Sequence, residues 1–358
     1  MASDPREAAS GSLDGRELGH LAAEHVRGAN YSWTQGRCWN SSGARLFPRK
    51  QDAFESDFAQ LIREWVLPGH APAAGMLSAG DSIITLGSCF ARELRDYLGS
   101  TGFSAGSFWI PAGLNNTFAI LDFISWCVTG EETDRGYRYD RTDEGQIEEW
   151  KPEAERDHYL QGLRAAGAFV FTLGLAEVWQ DGETGAVFWR GVPKDVYEAG
   201  RHVFRLTTVE ENEANILRIV ELVRSVNATA PIVLTLSPVP LQATFREMSC
   251  LTADSVSKSV LRVAIDLVMN RQLENVYYWP SFEIVRWVGA HVPRPAYGAD
   301  DGKPRHVNRR LVAEIIDAFV EAFFTPAAVA ELNARSAASP PSVASRGKRP
   351  VSPVDPLP

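Results

Sequence analysis

From residue 80 onward, short apolar runs alternate with longer stretches in which apolar residues recur every three or four positions. Ile83, Ile84, Thr85 and Leu86 form a run closed by Gly87, the length of a buried strand. The stretches 103–109, 168–174, 231–236 and 275–279 have the same character. Between them lie helical patterns. Phe90, Leu94, Tyr97 and Leu98 predict one helix up to Gly99, and Ile120, Phe123, Ile124, Cys127 and Val128 predict another over 117–128, with Gly130 as its stop. Thr208 and Glu211 have capping-box spacing ahead of Ile216, Val220 and Val223. Helices over 254–270 and from Asn308 through Leu311, Ile315, Phe319 and Phe323 complete the pattern. Five short strands separated by helices predict an α/β fold with a parallel five-stranded sheet covered on both faces, because parallel strands need crossovers. Such a fold places its chemistry at the carboxyl ends of its strands.

The flanks differ. Residues 1–29 are polar and predict a flexible segment. Residues 30–78 are richer in aromatics, with Tyr31, Trp33, Trp39, Phe47 and Trp65, and predict an arm packed on a main domain over 79–332. Residues 131–157 carry eleven acidic and five basic side chains and predict a solvated surface insertion. Residues 333–358 hold six prolines and five serines and predict a disordered tail, since so little apolar surface cannot offset the entropy of ordering.

The 358 residues contain 36 Lys and Arg against 45 Asp and Glu, a net charge of -9. That balance disfavours non-specific binding to nucleic acid or anionic membrane. No apolar run approaches the roughly 18 residues of a membrane span, and the N-terminus has no apolar signal core. Cys38, Cys89, Cys127 and Cys250 stand far apart, with no C-x-x-C pair. The expectation is a cytoplasmic protein without a disulfide framework. No phosphate-loop, dinucleotide or H-E-x-x-H pattern occurs, so no cofactor and no metal are expected.

The sharpest local signal is Gly87-Ser88-Cys89-Phe90-Ala91, directly after the first strand. Ser88 there serves either as a helix N-cap or as a nucleophile beside the free N–H groups of a helix start. A serine nucleophile needs a base. Of seven histidines, His306 stands on the loop before the last helix, at the same sheet edge, with Asp300 and Asp301 close enough for one carboxylate to fix its tautomer. Asp301 is preferred, and both stay open. Cys89 is a weaker candidate, one position into the helix. Ser255 and Lys258 have S-x-x-K spacing, which reads as chance without its companion motifs.

The pentapeptide resembles the signature of the GSCFA domain family, within the SGNH (GDSL-like) hydrolase superfamily. Other blocks agree in order: Gly113 to Ile120, Thr172-Leu173-Gly174, Leu236 to Val239, Tyr278 to Ile284, and Asp300 to Val307. The resemblance implies a three-layer α/β/α sandwich (SGNH/flavodoxin-like) with Ser88 as nucleophile, His306 as base and a nearby aspartate. It also implies an oxyanion hole from the Ser88 and Gly113 N–H groups. Two departures stand out. Asp301 lies five residues before His306, where many relatives have three. Gly174 is followed by Leu175, Ala176 and Glu177 rather than by the superfamily's x-Asn-Asp. Asn116 is then the candidate side-chain donor, or an N-cap for the next helix.

The function so implied is a serine-dependent acyl, and specifically acetyl, esterase or O-acyltransferase on a carbohydrate or polysaccharide precursor. The rival is a non-catalytic carbohydrate-binding or polysaccharide-assembly protein that keeps the fold, with Trp109, Trp179, Trp189 and Tyr277 to Trp279 as stacking surfaces. The oligomeric state is not legible in the sequence.

Overall fold

The structure is a computed structural model that describes residues 57–87, 114–131, 156–189 and 191–338, single positions 47, 54, 91, 94 and 99, and strand segments 31–34, 37–40, 139–141 and 147–149. The chain divides into two units, Met1–Arg49 and Lys50–Pro358. In the first, β1 (Tyr31–Thr34) and β2 (Arg37–Asn40) pair antiparallel. The second begins with α1 (Phe58–Leu61), which continues as a π-helical turn, Ile62–Val66. There follow β3 (Ile83–Gly87), α2 (Thr117–Thr129), the antiparallel pair β4 (Tyr139–Arg141) and β5 (Ile147–Glu149), α3 (Arg156–Ala165) and β6 (Ala168–Leu173). A second antiparallel pair, β7 (Glu177–Asp181) and β8 (His202–Leu206), precedes α4 (Val209–Val226), β9 (Ile232–Leu236), α5 (Cys250–Asn270) and β10 (Val276–Trp279). A short α6 (Ser281–Glu283), α7 (Arg309–Phe323) and α8 (Pro326–Ala338) end the described chain.

Four of the strands read from the sequence form one parallel sheet in the order β10-β9-β6-β3. The stretch 103–109, read as the fifth, lies outside the described residues. Side chains alternate across a strand, so each strand feeds two cores. Phe169, Phe171 and Leu173 of β6 join Ile84, Leu86, Ile232, Leu234 and Tyr278 on one face, under α2, α3, α4 and α5. Ala168 and Val170 join Ile83, Val233 and Trp279 on the other, under α1, α7 and the π-helical turn Ile284–Val288. Both faces being covered explains why the strands read as continuous apolar runs rather than alternating ones. Each large side chain so buried contributes about 1.5–3 kcal/mol.

Helix ends fall where the local sequence stops them. Thr208 and Glu211 make both halves of the capping box on α4. Asn308 Oδ1 accepts the N–H groups of Arg310 and Leu311 at the start of α7. Gly130 ends α2 at φ 74°, a left-handed conformation that costs glycine little. Helix α5 starts at Cys250, ahead of the expected 254, because Ser249 Oγ accepts from Leu251 N and caps it there. Helix α8 runs to Ala338, past the boundary at 332/333 that composition suggested, and residues 339–358 lie outside the described residues. Phe54, Phe58, Leu61, Ile62, Leu67 and Leu77 are buried in the core beneath α7. The N–H groups of Met76 and Leu77 donate to Phe323 O, which ties that stretch to the end of α7. Among the described residues no helix is long and apolar enough to cross a membrane.

Candidate active site

Strand β3 ends on a residue that has to be glycine. Gly87 has φ 116°, and a Cβ there would lie 2.1 Å from Thr172 O of the neighbouring strand. This close approach holds the end of β3 against β6 and fixes the direction in which the chain leaves the sheet. Ser88, which follows, lies outside the described residues, as do Cys89 and Gly113.

At the same sheet edge the loop before α7 folds back on itself. Gly298 N donates to His306 O (2.8 Å), His306 N to Lys303 O (3.0 Å) and Gly302 N to Gly298 O (3.1 Å), with Gly298 and Gly302 both left-handed. This fold brings Asp301 Oδ2 to 2.6 Å from His306 Nδ1. The other oxygen, Oδ1, accepts Lys303 N at 3.0 Å, so the carboxylate is held by its own turn. That backbone hydrogen bond first, and then the imidazole, lower the pKa of Asp301 below the ordinary carboxylate value. With Nδ1 donating to the carboxylate, Nε2 is the basic nitrogen, and it has no partner among the described residues. Asp300 does different work. Its Oδ2 accepts Arg309 N at 2.6 Å, the first N–H of α7, beside the two that Asn308 takes.

The loop after β6 is strapped down. Gly174 N and Leu175 N both donate to Asn115 O, at 2.7 and 3.0 Å. Ala176 N donates to Ser257 Oγ (2.9 Å), and Lys258 Nζ donates to Gly174 O (2.7 Å). Lys258 is 2% exposed, and burial pulls its pKa down to about 7. The sequence reading met this lysine only in the S-x-x-K spacing and gave it no place at the sheet edge. The signal was present: Asp254, Lys258, Leu261, Ile265 and Val268 follow one another at steps of four and three along the buried stripe of α5. Ser255 instead bonds back to Leu251 O on the exposed side, so the S-x-x-K pair does not come together.

The loop after β9 closes the edge. Tyr297 Oη donates to Pro238 O (2.9 Å) and Arg305 Nε to Pro240 O (3.1 Å), tying the Ser-Pro-Val-Pro segment to the loop that carries His306. Burial pushes the Tyr297 phenol up to about 12. Asp254 Oδ2 holds Arg286 at 2.6 Å, and Oδ1 accepts Leu241 N.

Asn116 is buried and caps α2: its Oδ1 accepts Ala119 N at 2.8 Å, and its Nδ2 donates to Trp189 O at 3.3 Å. Of the aromatic residues considered as stacking surfaces, Trp189, Tyr278 and Trp279 are core, and Trp109 lies outside the described residues. Trp179 differs. Its ring meets Tyr197, Phe204 and Phe245 edge-on at 5.7, 5.2 and 4.9 Å, and Tyr197 and Phe245 are exposed. The cluster stands beside the Glu177–Arg246 ion pair, which begins three residues beyond Gly174. Among the described residues no group of three His, Cys, Asp or Glu side chains is placed to hold a metal ion.

A model of the GSCFA family matches residues 82–319. No match was found among curated proteins. Among solved structures the chain is similar to the salicylyl-acyltransferase SsfX3 from a tetracycline biosynthetic pathway, with 14% identity and a TM-score of 0.34 over 68% of this chain and 54% of that one. This chain thus spans about half the length of that acyltransferase. It is also similar to a carbohydrate esterase family 2 enzyme with its carbohydrate-binding domain from Corynascus thermopiles (Myceliophthora fergusii), with 15% identity and a TM-score of 0.29 over 77% and 69% of the two chains.

Proposed function

The chain belongs to the GSCFA family, and from that premise we propose that it is a serine-dependent acyl esterase or O-acyltransferase. The observation that carries this reading is the 2.6 Å pair of His306 and Asp301 at the sheet edge where β3 ends on the obligatory Gly87. In the proposed reaction Ser88 Oγ attacks the ester carbonyl while His306 Nε2 takes its proton. The same nitrogen then returns the proton to the leaving alcohol, and an acyl-serine remains. Water, or the hydroxyl of an acceptor, gives up a proton to His306 and attacks the acyl carbon, releasing Ser88. Asp301 holds the tautomer and stabilises the imidazolium. The N–H groups of Ser88 and Gly113 face the developing oxyanion.

For substrate we propose a short acyl group, acetyl above all, on a carbohydrate or polysaccharide precursor. The exposed rings of Tyr197 and Phe245 around Trp179 support a sugar face near the site. The same rings would serve a protein that binds the glycan without cleaving it, so the experiment separates the two. Turnover of p-nitrophenyl acetate by the wild type, lost in Ser88→Ala, is the expected result. Equal turnover by both proteins contradicts the assignment of the nucleophile. A wild type that binds acetylated oligosaccharide, turns over no ester and is not labelled by a fluorophosphonate favours the binding protein.

A further inference from the structure

The outer face of α5 has an unusual composition for a surface that meets water. Among the described residues ten large apolar side chains are exposed, and four of them, Leu251, Val256, Val263 and Leu267, stand on this one helix. The other exposed positions between Leu251 and Val263 hold Thr252, Ser255 and Ser259, with Val260 half-buried among them. No charged residue is exposed along these turns. Asp254 and Lys258 are buried, and the half-buried Arg262 turns to Glu283 Oε1 at 2.7 Å. The three hydroxyls are spent on their own helix: Thr252 donates to Ser249 O (2.8 Å), Ser255 to Leu251 O (3.1 Å) and Ser259 to Ser255 O (2.8 Å). The groove between this face and the start of α4, walled by Val209, Val256, Val260 and Val263, therefore offers a visitor apolar surface and no free polar group.

The pattern matches itself. A two-fold axis between Ser259 and Val260 would lay a second α5 antiparallel on the first, setting Val256 against Val263 and Thr252 against Leu267. The small side chains of Ser255 and Ser259 allow the helix axes to approach to about 8–10 Å. Near such an axis every charge would meet its own like, so a face without charge is what self-pairing requires. Away from the axis, the N-terminal turn of each helix, capped by Ser249, comes beside the C-terminal turn of the other, where the helix dipoles attract. With 21 residues α5 is about 31 Å long, enough to span a standard patch of about 800 Å² per partner. The exposed Met248 and the first turn of α4 supply its width. A lipid surface would call for Lys and Arg along the margins, and here the margins carry Glu210 and Asp266.

We propose that the outer face of α5 is a self-association surface through which two copies of this chain pair about a two-fold axis. The inference stands apart from the reading of the active site. Pairing takes Val256, Val263 and Leu267 out of water, and it leaves no polar group unsatisfied because the hydroxyls of the face are already bonded within the helix.

Sedimentation velocity of the full chain at about 100 µM, where an interface of standard size is populated, tests this. The wild type is expected to sediment as a dimer. Val256→Lys and Val263→Glu, both at exposed positions, are each expected to keep the wild-type circular dichroism and to weaken pairing about a hundredfold or more, since each homodimer would bury two unpartnered charges. An equimolar mixture of the two variants is expected to regain the dimer. The two-fold axis then sets one lysine against one glutamate and leaves the second Val256–Val263 contact intact. A wild type that is monomeric at this concentration overturns the proposal, as does a dimer that both variants retain. Two monomeric variants whose mixture stays monomeric overturn it too, because a face used by a different partner would not be restored by its own mirror substitution.

Discussion

Asp300 and Asp301 are neighbours in sequence, yet one serves a helix and the other a histidine. The sequence narrows the partner of His306 to these two, because both lie within reach along a short loop. The choice depends on the turn through left-handed Gly298 and Gly302, and backbone handedness at two glycines decides which carboxylate comes round to the imidazole. Asp301→Asn is therefore expected to lower kcat by about 10²–10⁴-fold, since the amide favours the wrong tautomer. Asp300→Asn should lose far less rate, with an effect of about 0.5–1 kcal/mol on stability through the first turn of α7. Steady-state kinetics and thermal melts of the two variants check this, and the reverse order would move the orienting role to Asp300. Asn116 illustrates the same limit. Its cap is legible from an asparagine before a helical pattern, but the seating of its neighbour Asn115 depends on a hydrogen bond to a loop 59 residues away in sequence.

Helix α5 links the back of the molecule to the site by a single buried cation. Lys258 reaches Gly174 O from a stripe that is otherwise mostly apolar, and its pKa is pulled down to about 7 from the ordinary 10.5. Between those two values the unfolded chain holds a proton that the folded chain has released. Folding stability from this group accordingly rises with pH across about pH 7–10, by up to roughly 1.4 kcal/mol per pH unit, and is flat below that window. Lys258→Met removes this titration. Urea unfolding at pH 7, 8 and 9 is expected to show the wild type gaining on the variant as pH rises, and parallel curves would contradict the buried-cation account. At this scale the helices with strong periodicity and capping residues were legible. The β7–β8 pair was not, because some twenty residues join its strands and the tight turn after Asp181 returns the chain to Gln180 through Val187 rather than leading directly into β8.

The second unit is built on a parallel sheet between two apolar cores, and its catalytic reading depends on loops that gather at one edge. The layers were legible because strands buried on both faces announce themselves as uninterrupted apolar runs, and because parallel strands admit few topologies. The edge was legible only as motif blocks, whose meeting in space depends on register, such as Gly87 opposite Thr172. Composition puts the start of the tail at 333, but α8 extends through Ala338, since alanines there sustain a helix that a Pro/Ser count overlooks. Removing residues 339–358 is expected to leave the melting temperature within about 2 °C and any p-nitrophenyl acetate turnover unchanged, because a stretch so rich in Pro and Ser has little apolar surface to add to a core. A fall of more than about 5 °C would show a docked segment. The central claim, a serine activated by the His306–Asp301 pair, is tested most directly by mapping the fluorophosphonate adduct by peptide mass spectrometry in wild type and His306→Ala. The account predicts a single adduct on Ser88 that forms at least a hundredfold more slowly without His306. An unmodified Ser88, or equal labelling in both proteins, would contradict it.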